Sequence, residues 1–251
     1  MKSTYSISMV ATAAVLALSV PVHAATKMDN RIESSAKQSY VFKTYLKGDD
    51  VKVQSKGGTV TLTGTVLEES HKTLAQDTVA SLPGVKSVDN KIEIKGEIPA
   101  KSSDAWLITK VKSTLLFHRS VSAAKTEVDA KAGIVTLRGV AANGAQKELT
   151  TEYVRDIEGV KDVINEMTVS NVAKKKQTVG EKIDDASITA QVKITLLNHR
   201  STSALDTKVV TKRGVVTLSG KAKNIAGLNL ATKLANDVNG VKSVNNHMSI
   251  E

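Results

Sequence analysis

The sequence contains three copies of one pattern, and this repetition restricts the possible folds more than any other feature. Thr-Leu-x-Gly occurs at 61–64, 136–139 and 217–220, and Gly-Val-Lys occurs at 84–86, 159–161 and 240–242. Both motifs recur at offsets of 75 and then 81 residues. The same offsets relate an early aspartate and a central glycine in each copy, namely Asp29, Asp104 and Asp185, and Gly58, Gly133 and Gly214. These landmarks predict three tandem domains at 28–97, 103–171 and 182–251.

Each copy predicts the element order α-β-β-α-β. Leu107, Val111 and Leu115 recur every four residues, as on one face of a helix. The aspartate at the start of each copy is expected to cap this helix, since its carboxylate can accept from free N–H groups. Two strands of alternating apolar and polar residues follow. The glycine between them suits the left-handed position of a three-residue hairpin loop with a bulge.

A second helix is predicted over 68–82, 144–157 and 225–238, and a last strand over 91–95, 166–170 and 246–250. A glycine after each second helix favours a left-handed residue there. The predicted fold class is therefore α+β, with three modules that each pack two helices on one face of a three-stranded mixed sheet. Such small, complete repeats favour separate beads in tandem over a solenoid, and the short segment 98–102 should keep the first two repeats close.

The N-terminus resembles a secretory leader. An uncharged run follows Lys2, its most apolar part spans only 14 residues from Met9 to Val22, and Val22-His23-Ala24 fits a cleavage site. A membrane anchor is the alternative, but about 20 apolar residues are needed to span a bilayer. We expect a signal peptide at 1–24 and a periplasmic protein.

Composition limits the partners. The chain has no Cys, aromatic residues make up 3% and the net charge is +10. So few rings argue against a stacking surface for single-stranded nucleic acid, and we expect no nucleic-acid partner. A basic exported protein more readily meets anionic phospholipid or other envelope polymers.

The motifs together resemble the BON domain. They are Val-Lys-x-x-Leu-Leu at 111–116 and 192–197, followed in every copy by Thr-Leu-x-Gly and Gly-Val-Lys. The first copy departs from the pattern in its first helix, with Ala36-Lys37 and Tyr40-Val41. The resemblance, which extends to hyperosmotically inducible periplasmic proteins, implies phospholipid or envelope binding and a role in envelope stress. It also implies, for some relatives, help for unfolded outer-membrane or secreted proteins. The family offers no catalytic residues or cofactor to transfer.

The residues themselves suggest no enzyme. HExxH, GxSxG and phosphate-cradling glycine loops are absent from the sequence. We therefore expect a non-enzymatic protein with no cofactor and no metal site. His118-Arg119 and His199-Arg200 occupy equivalent positions after the first helix. Such a pair could bind phosphate, or it could belong to a solvated helix end where cations are favoured.

Net charge is concentrated in the last third of the chain. The first two repeats are each neutral, whereas 181–251 has ten basic and six acidic residues and the preceding linker adds three lysines. Ile225 and Leu228 replace polar or small residues of the other copies, and we expect them to touch lipid tails while lysines meet head groups. Solubilising charge and local packing are the alternatives. The candidate lipid-binding residues are Lys174, Lys175, Lys176, Lys221, Lys223, Ile225, Leu228 and Lys233.

Two further features have alternatives. Trp106, the single Trp, is expected at the surface, either between the first two repeats or at a membrane interface. The recurring Asn90, Asn165 and Asn246 favour a turn at the entry to the last strand over a ligand role.

Overall fold

The structure is a computed structural model that describes residues 22–96, 99–170, 182–202 and 205–251. Nearly all of the expected leader and the linker lysines Lys174, Lys175 and Lys176 lie outside the described residues. Within the described ranges, the helices are too short or too polar to cross a membrane.

The described elements form three modules. Module 1 contains α1 (Val22–Gln38), α2 (Tyr40–Thr44), β1 (Asp50–Lys56), β2 (Thr59–Val66), α3 (Glu69–Ala80) and β3 (Ser87–Ile94). Module 2 contains α4 (Asp104–Phe117), β4 (Thr126–Lys131), β5 (Ile134–Ala141), α5 (Gly144–Arg155), β6 (Asp162–Asn165) and β7 (Thr168–Val169). Module 3 contains α6 (Asp185–Asn198), β8 (Asp206–Lys212), β9 (Val215–Ala222), α7 (Ile225–Asn236) and β10 (Ser243–Ile250).

Each module has a mixed sheet. The first two strands pair antiparallel and the last strand pairs parallel with the second, which is central. Alternate residues of the central strand, such as Val60 and Leu62 in β2, are fully buried. Because successive strand residues face opposite sides, the buried set lies against the two helices and leaves the other sheet face open. The predicted α+β modules are confirmed.

The hairpin turn differs from the expected three-residue loop. In every module a two-residue loop joins the first two strands, and both of its residues have positive φ. In module 2 these residues are Ala132 (φ 53°) and Gly133 (φ 87°). This pattern is that of a type I′ turn, whose twist matches that of the flanking strands.

The recurring aspartate holds this turn and is not the helix cap. Asp185 accepts hydrogen bonds from the N–H groups of Arg213 (2.7 Å) and Gly214 (2.8 Å). The capping residue of α6 is Asp184, one position earlier, and Ser103 caps α4. The prediction was wrong because the carboxylate satisfies two N–H groups of a turn that is distant in sequence.

The recurring asparagines lie within or at the end of the last strand of each module, so the expected turn role was also wrong. Asn246 donates to the main-chain oxygen of Leu228 (3.1 Å) and to the Thr232 hydroxyl (2.8 Å), and its side-chain oxygen accepts from Met248 N–H (2.9 Å). Equivalent bonds are made by Asn90 and Asn165. The amide therefore ties the second helix to the sheet.

The modules are packed together and are not separate beads. Module 1 packs on α6 of module 3, where the Asp184 carboxylate accepts from Tyr40 N–H (2.7 Å) and Lys193 pairs with Asp77 (3.2 Å). Module 1 also meets module 2, because Phe117 is buried in its core against Tyr45. Modules 2 and 3 share one continuous core. Helix α6 is buried on nearly every side, as expected for a helix surrounded by protein.

Candidate functional site

The open sheet face of module 3 carries three exposed lysines. Lys208 and Lys212 are exposed on β8, and Lys221 is exposed on β9. Side chains on the same face of the central and last strands are mostly hydroxyls and amides, including Thr217, Ser219, Ser243, Asn245 and Ser249. Asp206, which lies opposite Lys221, is the carboxylate of this face.

None of the lysines at 208, 212, 221, 223 and 233 has a carboxylate within ion-pair distance among the described residues. Their charges are thus available to an external anion. Because the helices cover only the other side, nothing in module 3 itself shields the three lysines of the sheet face.

The equivalent faces of the other modules pair several of their cations with carboxylates, whereas Lys56 and Lys131, at the strand position of Lys212, have no ion pair among the described residues. In module 2, Arg138 lies between Glu166 (2.7 Å) and Asp129 (2.5 Å), and these hydrogen bonds raise the pKa of its guanidinium above the usual value. Glu127 and Asp162 add further negative charge there. In module 1 the face pairs Lys52 with Asp50 and Lys91 with Asp89.

The two predicted apolar lipid contacts of module 3, Ile225 and Leu228, differ in their exposure. Ile225, the first residue of α7, is 63% exposed. Leu228 is half-buried and packs against the shared core of modules 2 and 3, so only part of its side chain is available. Ala231, Leu234 and Ala235 are buried and form the core face of this helix.

Exposed lysines stand at both ends of α7. Lys223 lies just before Ile225 and follows Lys221 by two residues, so these three side chains continue from the edge of the sheet face. Lys233 instead lines a groove at the boundary of modules 2 and 3 with Arg155 and Arg200. The predicted residues therefore fall into two groups. Lys221, Lys223 and Ile225 lie at the sheet face and its edge, whereas Lys233 lies at the module boundary.

The two His-Arg pairs are neither an open phosphate site nor a solvated helix end. His118 is 2% exposed and His199 is 1% exposed, because the ends of α4 and α6 meet at the module 2–module 3 boundary. Sequence reasoning missed this contact. The repeated His-Arg-Ser run was its one visible signal, but the partner carboxylates lie far away along the chain.

Trp106 packs on its own module, and its place at a membrane interface stays a prediction. It is half-buried on module 2, close to Gly159, and the Lys110 ammonium lies 4.6 Å from its ring centre. This residue therefore covers its own module.

No three His, Asp or Glu side chains in the described part of the chain are grouped so that they could hold a metal ion. The geometry at module 3 is that of a charged surface for contact, with Ile225 at its margin.

Comparison with known proteins identifies the modules. The BON domain model matches residues 28–96, 103–171 and 184–251. Osmotically-inducible protein Y of Escherichia coli is 31% identical over 145 residues, which cover 58% of this chain and 71% of that protein. Outer membrane lipoprotein DolP of Haemophilus influenzae is 33% identical over 112 residues, 45% of this chain and 55% of that protein. A 21 kDa hemolysin of Actinobacillus pleuropneumoniae is 32% identical over 116 residues, 45% of this chain and 59% of that protein. The chain belongs to the BON-domain family, and the family model matches it three times.

Proposed function

We propose that this protein is an exported, non-enzymatic envelope protein that binds anionic phospholipid surfaces through module 3 and protects the envelope under osmotic stress. The observation that carries the proposal is the sheet face with Lys208, Lys212 and Lys221, which lacks the ion pairs of its equivalents in modules 1 and 2. A cationic open sheet face is complementary in charge to the surface of an anionic bilayer.

The magnitude fits weak, reversible attachment. A lysine near an anionic membrane contributes about 1 kcal/mol, and the effect is screened over about 10 Å at 0.1 M salt. Lysines at 208, 212, 221 and 223 acting together would give salt-sensitive binding, and Ile225 would add a small apolar contribution by entering the head-group region.

The names of two relatives support the setting. One is an osmotically-inducible protein and another is an outer membrane lipoprotein. The leader-like N-terminus supports export into the same compartment.

The test is co-sedimentation with phosphatidylcholine vesicles, with and without phosphatidylglycerol, at low and high salt. Because module 3 packs on both other modules, point variants are cleaner than a truncation. We expect Lys208→Gln with Lys212→Gln to weaken binding to the anionic vesicles, by roughly fivefold for each lysine.

Lys52→Gln with Lys56→Gln is the matched control, since these lysines hold the same strand positions in module 1. Equal binding by both double variants, or binding of the wild type to neutral vesicles alone, would contradict the proposal. Ile225→Ser tests the apolar contribution separately.

A second candidate is binding of unfolded envelope proteins. The open sheet face of module 2 carries three exposed apolar side chains, Ile134, Val140 and Ile164, which could hold an apolar client segment. Client binding of this kind should persist at high salt, whereas lysine-mediated lipid binding should fall. Suppression of aggregation that is lost in Ile134→Ser with Ile164→Ser would favour this second function.

A further inference from the structure

Two buried histidines meet at the boundary of modules 2 and 3. The Nε2 atoms of His118 and His199 are 3.2 Å apart. The Nδ1 atom of each ring faces a carboxylate of the opposite module, with His118 3.1 Å from Asp237 and His199 3.3 Å from Asp156. The contact is therefore reciprocal: each module supplies one imidazole and one carboxylate.

Backbone and hydroxyl groups fix this arrangement. Arg119 N–H donates to the main-chain oxygen of Asp237 (2.9 Å), and the Ser120 hydroxyl donates to its carboxylate. The same two contacts occur on the other side between Arg200, Ser201 and Asp156. Because both sides are held in this way, the rings have little freedom to turn apart.

The hydrogen bonds determine which ring nitrogen atoms of His118 and His199 carry protons. The carboxylate of Asp237 accepts from Ser120 and from the Tyr153 hydroxyl (2.9 Å), and its pKa lies below 3.8, so at neutral pH it is ionised and the facing His118 Nδ1 donates to it. By the same reasoning His199 Nδ1 carries a proton toward Asp156. Two neutral rings of this tautomer would point unprotonated Nε2 lone pairs at each other across 3.2 Å. The contact becomes a hydrogen bond only when one Nε2 holds an additional proton.

We propose that His118 and His199 hold one positive charge between them, in an Nε2–H···Nε2 hydrogen bond, and that the pair is an acid-sensitive latch joining modules 2 and 3. The first additional proton closes the latch. A second proton would place two N–H groups and two like charges against each other in a buried site, and the contact would open.

The groups around the His118–His199 pair disfavour a second positive charge on the imidazoles. Tyr153 stacks on His118 with ring centres 4.0 Å apart, which keeps water from that face. The charged and titratable groups that face the pair from the packed elements are Asp156, Asp237, Tyr153, Arg119 and Arg200, with Glu152, Arg155 and Lys233 in the adjoining groove. Arg119 and Arg200 lie beside the two aspartates and Arg155 pairs with Glu152, so a second imidazolium would add positive charge where each of these carboxylates already has a cation.

The direction of the pH effect follows from His118. Once the shared proton is in place, His118 resists a second proton, because burial lowers the pKa of this imidazole and the charge of His199 lowers it further, against the opposing effect of Asp237. The open form therefore takes up protons more readily than the closed form as the pH falls below 6.5, and the closed form loses stability in that range. Burial also raises the pKa of Asp237, but its hydrogen bonds outweigh this and keep it below 3.8, so the carboxylates stay ionised while the latch opens.

The proton count is tested by nitrogen NMR of the imidazole rings in the full chain. At neutral pH we expect protonated Nδ1 atoms on both rings and one proton shared between the two Nε2 atoms. Two neutral rings, or independent titration of both near 6.5, would overturn the proposal.

The opening is tested by spin-label distances. The sequence has no Cys, so Glu148→Cys and Asn229→Cys place labels at equivalent exposed positions on α5 and α7. We expect the distance between the labels to lengthen and broaden as the pH falls from neutral to 5. His118→Asn, which can still donate to Asp237, should retain the neutral-pH distance and lose the response.

His71→Gln is the matched control. His71 lies 2.7 Å from Asp49, but both residues belong to module 1, and among the described side chains no second imidazole forms a hydrogen bond or ring contact with either. This variant should respond to acid as the wild type does. An unchanged wild-type distance at acidic pH, or a response equally lost in the His71 variant, would refute the latch.

Discussion

The carboxylate of Asp185 accepts the N–H of Gly214 at 2.8 Å, which links the first turn of α6 to the hairpin turn of the same module. A second bond from Arg213 N–H completes the contact. We expect Asp185→Ala to lower the free energy of unfolding by about 1.5–3 kcal/mol, the range for hydrogen bonds to a charged group. Urea denaturation measures this. Asp206→Ala, at an exposed strand end, is the control and should change little.

Asp29 makes the corresponding contacts in module 1, and they give a pH dependence. Hydrogen bonds from the Ser55 hydroxyl and from the N–H groups of Gly57 and Gly58 lower the pKa of Asp29 below 3.8. A lowered folded-state pKa stabilises the fold fully above 3.8, and this stabilisation is lost as the pH falls through the lower value. The carboxyl carbon-13 shift of Asp29 should titrate below 3.8. A midpoint at or above 3.8 would contradict the contact.

Gly139 in the Thr-Leu-x-Gly motif is required because the chain passes very close to it. A Cβ at this position would lie 2.0 Å from the main-chain oxygen of Lys125, and φ is 116°. We expect Gly139→Ala to destabilise module 2 by more than about 3 kcal/mol, since main-chain atoms cannot move aside. Gly144→Ala is the control: nothing lies within 4 Å, and alanine in helix α5 should stabilise by about 0.5–1 kcal/mol. Thermal denaturation distinguishes the two.

Ala132 occupies a left-handed turn position that favours other residues. Its φ is 53°, where an alanine costs roughly 1–2 kcal/mol. Ala132→Asn should raise the stability of module 2 by about 0.5–1 kcal/mol, because Asn-Gly suits a type I′ turn. The urea midpoint should increase. A decrease would mean that the turn geometry is different.

The fold of the module could be predicted from the sequence because the patterns that indicate its strands and helices are local. Alternation around Val60 and Leu62 marks a strand, and the period-four pattern through Val111 marks a helix. Because the unit recurs at fixed offsets, the same order of elements could be predicted from each of the three copies. The function of Asp185 was misassigned because a helix start and a distant turn compete for the same carboxylate, and only the folded backbone shows which one binds it.

The candidate lipid-binding surface of module 3 could be predicted from the sequence only in part. The excess of lysine in the last repeat is visible in composition, and Ile225, a predicted lipid contact, is exposed. The sequence did not single out Lys208 and Lys212, because which lysines have a carboxylate within ion-pair distance is evident only in the folded sheet.

By itself, the sequence determined the repeat, the order of elements within it and the core-facing residues, since periodicity and turn residues act over short distances. The tertiary structure alone decided how the modules meet. His118 contacts Asp237 across 119 residues, and α6 is covered on both sides by different modules. These contacts depend on the complementary shapes and charges of complete surfaces, and such surfaces exist only after each module has folded.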